Sequence, residues 1–205
     1  MIGIVDYGLG NLTSVAAAVA KVGHTPRVTG DAAELWRSER LILPGVGAFG
    51  DGMRRLRELG LVEPLTRMVV EEGKPILGIC LGSQLLARES EEFGTHEGLG
   101  WIDATVRRLA PGDDELRIPH VGWNDLDQVG ESPLFADVPE TALFYYVHSY
   151  RLVVDQPGIV VGSCTYGSAF PSVIQAGNIF ATQFHPEKSQ RHGLLLLQNF
   201  LERVH

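Results

Sequence analysis

Short apolar runs alternate with helical patterns through the first half of the chain, and this alternation limits the fold more than any other feature. Residues 2–6 read as a strand. Residues 11–22 read as an Ala-rich helix with Gly23 as its stop, and 26–29 as a second strand. Residues 41–43 are a third strand, broken by Pro44-Gly45. A helical region over 51–72 is interrupted near Gly60 and Pro64. Residues 75–79 are a fourth strand, and 82–88 open another helix. Successive parallel strands need a crossover, usually a helix, so this order predicts a parallel sheet covered on both faces. From Trp101 to Gln183 the runs become strand-like and turn-connected: 104–109, 143–154, 159–166, 172–175 and 179–183. A helix over 193–203 closes the chain. The expected fold class is α/β: a single domain spanning 1–205, with a mixed, mostly parallel central sheet and helices on both faces.

The 205 residues suffice for one well-buried domain, and 44% hydrophobic with 20% charged residues is an ordinary globular composition. A net charge of -8 argues against a general basic field for nucleic acid. The basic run Arg54-Arg55-Leu56-Arg57 reads as a solvated helix face beside Glu58. The opening Met1-Ile2-Gly3-Ile4-Val5-Asp6 reads as a strand rather than a leader, and no apolar stretch approaches a membrane span. Two cysteines, Cys80 and Cys164, are too few for a disulfide framework, so the expected compartment is the reducing cytoplasm.

Three segments carry chemistry. Gly78-Ile79-Cys80-Leu81-Gly82 lies at a strand-to-helix junction and is the cysteine version of the nucleophile elbow. Side chains two positions either side of so sharp a turn would collide, hence the glycines. The helix that follows aims its positive end at the sulfur, which favours thiolate, and the Leu81 N–H is placed to donate to an oxyanion. Taken alone, the pentapeptide also fits a buried structural cysteine in a Gly-rich turn. Gln183-Phe184-His185-Pro186-Glu187 follows an apolar run. In extended backbone His185 and Glu187 point to one side, so the carboxylate can set the imidazole tautomer. Pro44-Gly45-Val46-Gly47 ends a predicted strand, where Gly45 and Gly47 permit unusual angles and close approach of a ligand. Peptide units at Val46 and Gly47 can supply a second oxyanion donor after reorienting. A Cys nucleophile, a His base and an acidic orienter make a Cys80-His185-Glu187 triad.

Gly8-Leu9-Gly10 does not extend to a dinucleotide fingerprint, since Thr13 stands where the third glycine belongs. His24, His96, His120, His148, His192 and His205 are scattered without metal-ligand spacing. Cys164 reads as core.

Pro44-Gly45-Val46-Gly47, Gly78-Ile79-Cys80-Leu81-Gly82-Ser83-Gln84 and His185-Pro186-Glu187 resemble the class I, triad-type glutamine amidotransferases over nearly the whole chain. Four further segments narrow the resemblance: Asp6-Tyr7-Gly8-Leu9-Gly10-Asn11-Leu12, His120-Val121-Gly122-Trp123-Asn124, Tyr146-Val147-His148-Ser149-Tyr150 and Lys188-Ser189 after the triad glutamate. These are similar to the glutaminase subunits of imidazole glycerol phosphate synthases. The resemblance implies a glutaminase without metal or organic cofactor, paired as a heterodimer with a (β/α)₈-barrel cyclase. The cyclase would switch it on and take its ammonia in histidine biosynthesis. It also implies that Gly47, Gln84 and Glu92 hold glutamine, that Ser149 and Tyr150 form a backbone-contacting strand beside it, and that Asn11, Trp123, Tyr145 and Lys188 face the cyclase.

Two other readings stand beside this one. A paralogous glutaminase serving amidation of a surface-polysaccharide sugar would share the chemistry and differ in client. The acidic loop Gly112-Asp113-Asp114-Glu115 and the stretch Lys188-Ser189-Gln190-Arg191-His192 are where such paralogues would differ. A non-catalytic binding module on the same fold would leave the filled triad unexplained, and a thiol protease or esterase the contexts of Gln84 and Trp123.

Overall fold

The computed structural model describes residues 1–110, 112, 116–156 and 158–204; the acidic positions 113–115 lie outside them. The first half runs β1 (Ile2–Val5), α1 (Leu12–Lys21), β2 (Pro26–Thr29), α2 (Ala32–Trp36), β3 (Arg40–Gly45), α3 (Phe49–Glu58), α4 (Val62–Thr66), β4 (Ile76–Cys80) and α5 (Leu81–Leu85). A π-helical turn, Arg67–Glu71, continues α4. The second half runs β5 (Glu89–Ser90), β6 (His96–Glu97), β7 (Ala104–Arg108), β8 (His120–Asp125), β9 (Asp127–Gln128), β10 (Leu143–His148), β11 (Tyr150–Val154), β12 (Val160–Tyr166), β13 (Ser168–Ala176), β14 (Ile179–Thr182) and α6 (Gln190–Arg203).

The main sheet has eight strands in the order β2-β1-β3-β4-β14-β13-β12-β9. From β2 to β14 every pairing is parallel; from β14 to β9 every pairing is antiparallel. This is the expected α/β class. The inner strands β1, β3, β4 and β14 are nearly all buried, as strands covered on both faces must be. Their alternation splits the core in two. Ile42, Leu77, Ile79 and Phe180 pack with α1 and α6 on one face. Leu41, Leu43, Ile76 and Ala181 pack with α2 to α5 on the other.

Local sequence explains most boundaries. The Asn11 side chain caps α1 by accepting from the Ser14 N–H at 3.4 Å, and Gly23, at φ +89°, turns the chain out of it. Two expected breaks do not occur. β3 runs through Pro44 to Gly45, opposite Ile79 and Cys80, because a proline at the last rungs costs little of the ladder. Pro64 sits in the first turn of α4, where its missing N–H has no helical acceptor anyway. One unexpected break is informative. The run 143–154 is not one strand: β10 pairs with β8 in a two-stranded sheet, whereas β11 pairs with β7 in a separate four-stranded sheet. The chain changes sheets at Ser149. Among the described residues no helix is long and apolar enough to cross a membrane.

Candidate active site

Cys80 is both the last residue of β4 and the cap of α5, with φ 53° and ψ −111°. A side-chain-bearing residue in this region is strained and persists only where its surroundings leave no alternative. The two flanking glycines supply that constraint. A Cβ on Gly78 would lie 2.9 Å from the Gly82 carbonyl oxygen and the Ser83 Cα, the expected collision across the turn. A Cβ on Gly82 would instead meet the neighbouring strand, 1.8 Å from the Leu43 carbonyl oxygen. The Ser83 hydroxyl donates to the Cys80 carbonyl at 2.6 Å and tightens the turn further.

His185 reaches the same place from the carboxyl end of β14. It and Glu187 do not share an extended segment, as the spacing first implies. Pro186–Lys188 is a 3-10 turn that folds the carboxylate back onto the ring. Nδ1 of His185 and Oε1 of Glu187 are 2.8 Å apart, and both side chains are 2% exposed. The turn is tied to β10. The His185 N–H donates to the Tyr145 carbonyl at 3.0 Å, the Tyr145 N–H donates to the Ser189 hydroxyl at 2.9 Å, and that hydroxyl donates to the His185 carbonyl at 2.6 Å. Burial works against a charged imidazole, but the Cys80 sulfur and the Glu187 carboxylate outweigh it and push His185 up to about 9. Its Nε2 is buried and has no hydrogen-bond partner among the described residues. An orphaned nitrogen beside a cysteine is poised for proton transfer.

These groups meet at a cleft of about 420 Å³ lined by Val46, Gly47, Cys80, Leu81, Gln84, Glu92, Ser149, Tyr150, His185 and Lys188, among others. Val46 is exposed, and Gly47 has φ +105°, a backbone conformation that favours glycine. Gly45 is different. It does not line the cleft, and a Cβ there would lie 2.4 Å from the Tyr7 hydroxyl and 2.9 Å from the Leu81 Cβ. Its smallness serves packing against Tyr7 and Leu81. The Gln84 amide donates to the Tyr150 carbonyl at 2.9 Å and to the Gln183 side-chain oxygen at 3.0 Å. The Gln183 amide in turn lies 3.9 Å from the Cys80 sulfur. A carboxylate oxygen of Glu92 accepts from the Phe49 N–H at 2.7 Å, while burial raises its pKa. Gln183 went unremarked in the sequence, although it stands two residues before His185 in the same motif.

Outside the cleft, Trp123 is 44% exposed and meets Tyr145 edge-on at 5.9 Å. Lys188 lies over the Tyr145 ring at 5.8 Å. Asn11 caps α1 and does not line the cleft. The arginine run carries surface ion pairs, Arg54 with Asp51 and Arg55 with Glu58, while Leu56 faces the core. Cys164 is fully buried and pushed up to about 12 by burial.

The family profile described as Glutamine amidotransferase class-I matches residues 3–204. The chain belongs to the class-I glutamine amidotransferases. Among relatives of this amidotransferase, a Geobacter sulfurreducens protein named imidazole glycerol phosphate synthase subunit HisH is 48% identical over 205 residues, covering 98% of each chain. A Pseudomonas aeruginosa protein named imidazole glycerol phosphate synthase subunit HisH 2 is 44% identical over 204 residues, covering 100% of each. A solved structure titled PurLQS from Thermotoga maritima aligns with a TM-score of 0.76 at 22% identity. It covers 100% of this amidotransferase and 98% of that chain, a likeness of fold alone.

Proposed function

We propose that this amidotransferase is the glutaminase subunit of an imidazole glycerol phosphate synthase, acting in the cytoplasm in histidine biosynthesis. One observation carries the chemistry: a cysteine on a strained elbow shares a cleft with a buried imidazole, one nitrogen of which has no partner among the described residues while the other is held by a carboxylate. Full-length likeness to proteins named as that subunit supports the choice of pathway.

The reaction follows from the geometry. The Cys80 thiolate attacks the side-chain amide carbon of L-glutamine. The oxyanion is met by the Leu81 N–H and by a peptide N–H at Val46 or Gly47 once that segment turns. His185, charged through Glu187, gives its proton to the leaving nitrogen, and ammonia departs as the thioester forms. The neutral imidazole then takes a proton from water, which attacks the thioester and releases glutamate. Gln84, Glu92, Ser149 and Tyr150 hold the amino-acid end. Trp123, Tyr145, Lys188 and Asn11 form the face toward a (β/α)₈-barrel cyclase, the partner that receives the ammonia.

Cys80→Ala in the complex should abolish glutamate release, and undiminished release would sink the triad. Mixing the chain with a histidine-pathway cyclase and its ribonucleotide should raise glutamine turnover. No rise would favour the sugar-amidation client instead.

A further inference from the structure

His120 and His148 are far apart in sequence and look unrelated there. In the structure they are cross-strand partners in the two-stranded sheet, both buried, with Nδ1 of His120 3.1 Å from Nε2 of His148. The contact has a direction that elementary hydrogen-bond accounting settles. Nδ1 of His148 lies 2.8 Å from the Tyr150 carbonyl, which can only accept, so Nδ1 of His148 carries the proton. In the neutral ring Nε2 is then an acceptor, so Nδ1 of His120 donates to it. Nε2 of His120 is left as an acceptor, and the Asn124 amide stands 3.3 Å away. Asn124 is not free to flip. Its nitrogen also donates to the Thr165 carbonyl at 3.0 Å, and its oxygen accepts from the Asp125 N–H at 2.9 Å. The His120 ring is clamped between Tyr146 and Tyr166, at centroid distances of 4.9 and 4.1 Å.

The chain of bonds ends in the cleft. The Tyr150 carbonyl that accepts from His148 also accepts from Gln84, whose second hydrogen goes to Gln183, the neighbour of the Cys80 sulfur. It begins on β8, the strand that also carries exposed Trp123.

We propose that His120 and His148 are positioning residues for the glutamine subsite: a one-way chain, Asn124 to His120 to His148 to the Tyr150 carbonyl, sets the backbone at the Ser149 sheet change and, through it, the Gln84 amide beside Cys80. The role rests on the glutaminase reading given above. Neither imidazole bonds to Cys80 or His185: His148 lines the same cleft and bonds to the Tyr150 carbonyl, and His120 lies behind it. A merely structural histidine pair would have no link to glutamine affinity.

The test uses the complex with the cyclase and its ribonucleotide, with L-glutamine varied. His120→Phe keeps an aromatic ring between the two tyrosines and deletes the donor. It should raise KM for glutamine about tenfold, the typical worth of one buried hydrogen bond, and leave kcat within about twofold. His120→Asn returns a donor near the Nδ1 position and should restore KM to within about twofold. In the wild-type protein, side-chain ¹⁵N NMR should find the proton on Nδ1 of both rings; this readout needs neither activity nor a folded variant. Unchanged KM in His120→Phe, or a proton on Nε2 of either ring, overturns the relay while leaving the glutaminase intact. Wild-type complex that releases no glutamate overturns the glutaminase reading, and the glutamine-positioning role with it.

Discussion

Cys80 is held by atoms that have nowhere to go: Gly78 against Ser83, Gly82 against the Leu43 carbonyl, and Gly45 against Tyr7 and Leu81. His185, from the other half of the chain, is held by hydrogen bonds to Glu187, Ser189 and Tyr145 on a turn beyond the sheet. Repulsion at close range places Cys80, and polar attraction places His185. The two kinds of support respond to different insults. Steric support fails when volume is added and is indifferent to pH. Polar support tolerates volume and fails when a charge or donor is lost. The same contrast recurs among the buried imidazoles. His185 is pushed up to about 9 by the sulfur and carboxylate beside it, against burial. Burial pushes His148 down to about 3 and His120 to about 4.

The contrast breaks most visibly at Glu187. Glu187→Gln keeps the side chain's shape but removes its charge. It should cut the glutaminase kcat of the cyclase complex by about 10³-fold while leaving the fold intact. A small loss would mean that polar support is dispensable. On the steric side, Gly82→Ala should destabilise the protein by about 3 kcal/mol in denaturant unfolding, because the new carbon meets main chain that cannot step aside. A cost near zero would show that β3 yields.

The histidines separate the two supports by pH. A raised pKa, as at His185, gives stability that is full below about 6.5 and is lost as pH rises through about 9. Lowered values, as at His148 and His120, give stability that is present above about 6.5 and is lost as pH falls toward 4 and 3. Tm should therefore fall on both sides of neutrality. Glu187→Gln should flatten the alkaline limb and His120→Phe the acid limb; limbs that do not change in these variants would detach the histidines from stability. The smallest effect is the clearest test of strain. Cys80→Gly should unfold at higher denaturant than Cys80→Ala, by about 1 kcal/mol, because only glycine is at ease at φ 53°. The reverse order would remove strain from the account of the elbow.

The parallel half of the fold was legible because its signals are local. Apolar runs such as 76–79 are bounded by glycine or proline, and the helices between them are amphipathic or capped. The elbow was legible for the same reason: strand, turn and helix occupy ten consecutive residues. The pairing of His185 with Glu187 was foreseen, though its geometry was not, since Pro186 begins a 3-10 turn where an extended link had been expected. The second half hid more. Nothing in Tyr146-Val147-His148-Ser149-Tyr150 announces that the chain leaves one sheet for another at Ser149, because either side reads as a good strand. β8 escaped altogether: Gly122 and Asn124 dilute its pattern, and its identity as a strand depends on β10, its partner some twenty residues on. The contact between His120 and His148 follows from that pairing and could not be read before it. The small size of Gly45 was legible, but its reason was not, because Tyr7 and Leu81 approach it from other elements.

Both hydrogens of the Gln84 amide are committed, one to Tyr150 and one to Gln183. What it has left to offer the cleft is a carbonyl oxygen, and Glu92, which lines the same cleft, offers carboxylate oxygens. Neither group of this pair presents a donor. If this pair holds the amino-acid end as proposed, the molecule it accepts brings hydrogens of its own, as the ammonium of a free amino acid does. A side-chain amide within a polypeptide, whose α-nitrogen is already acylated, arrives without that charge, so the proposed subsite would favour free glutamine over the glutamines of other proteins.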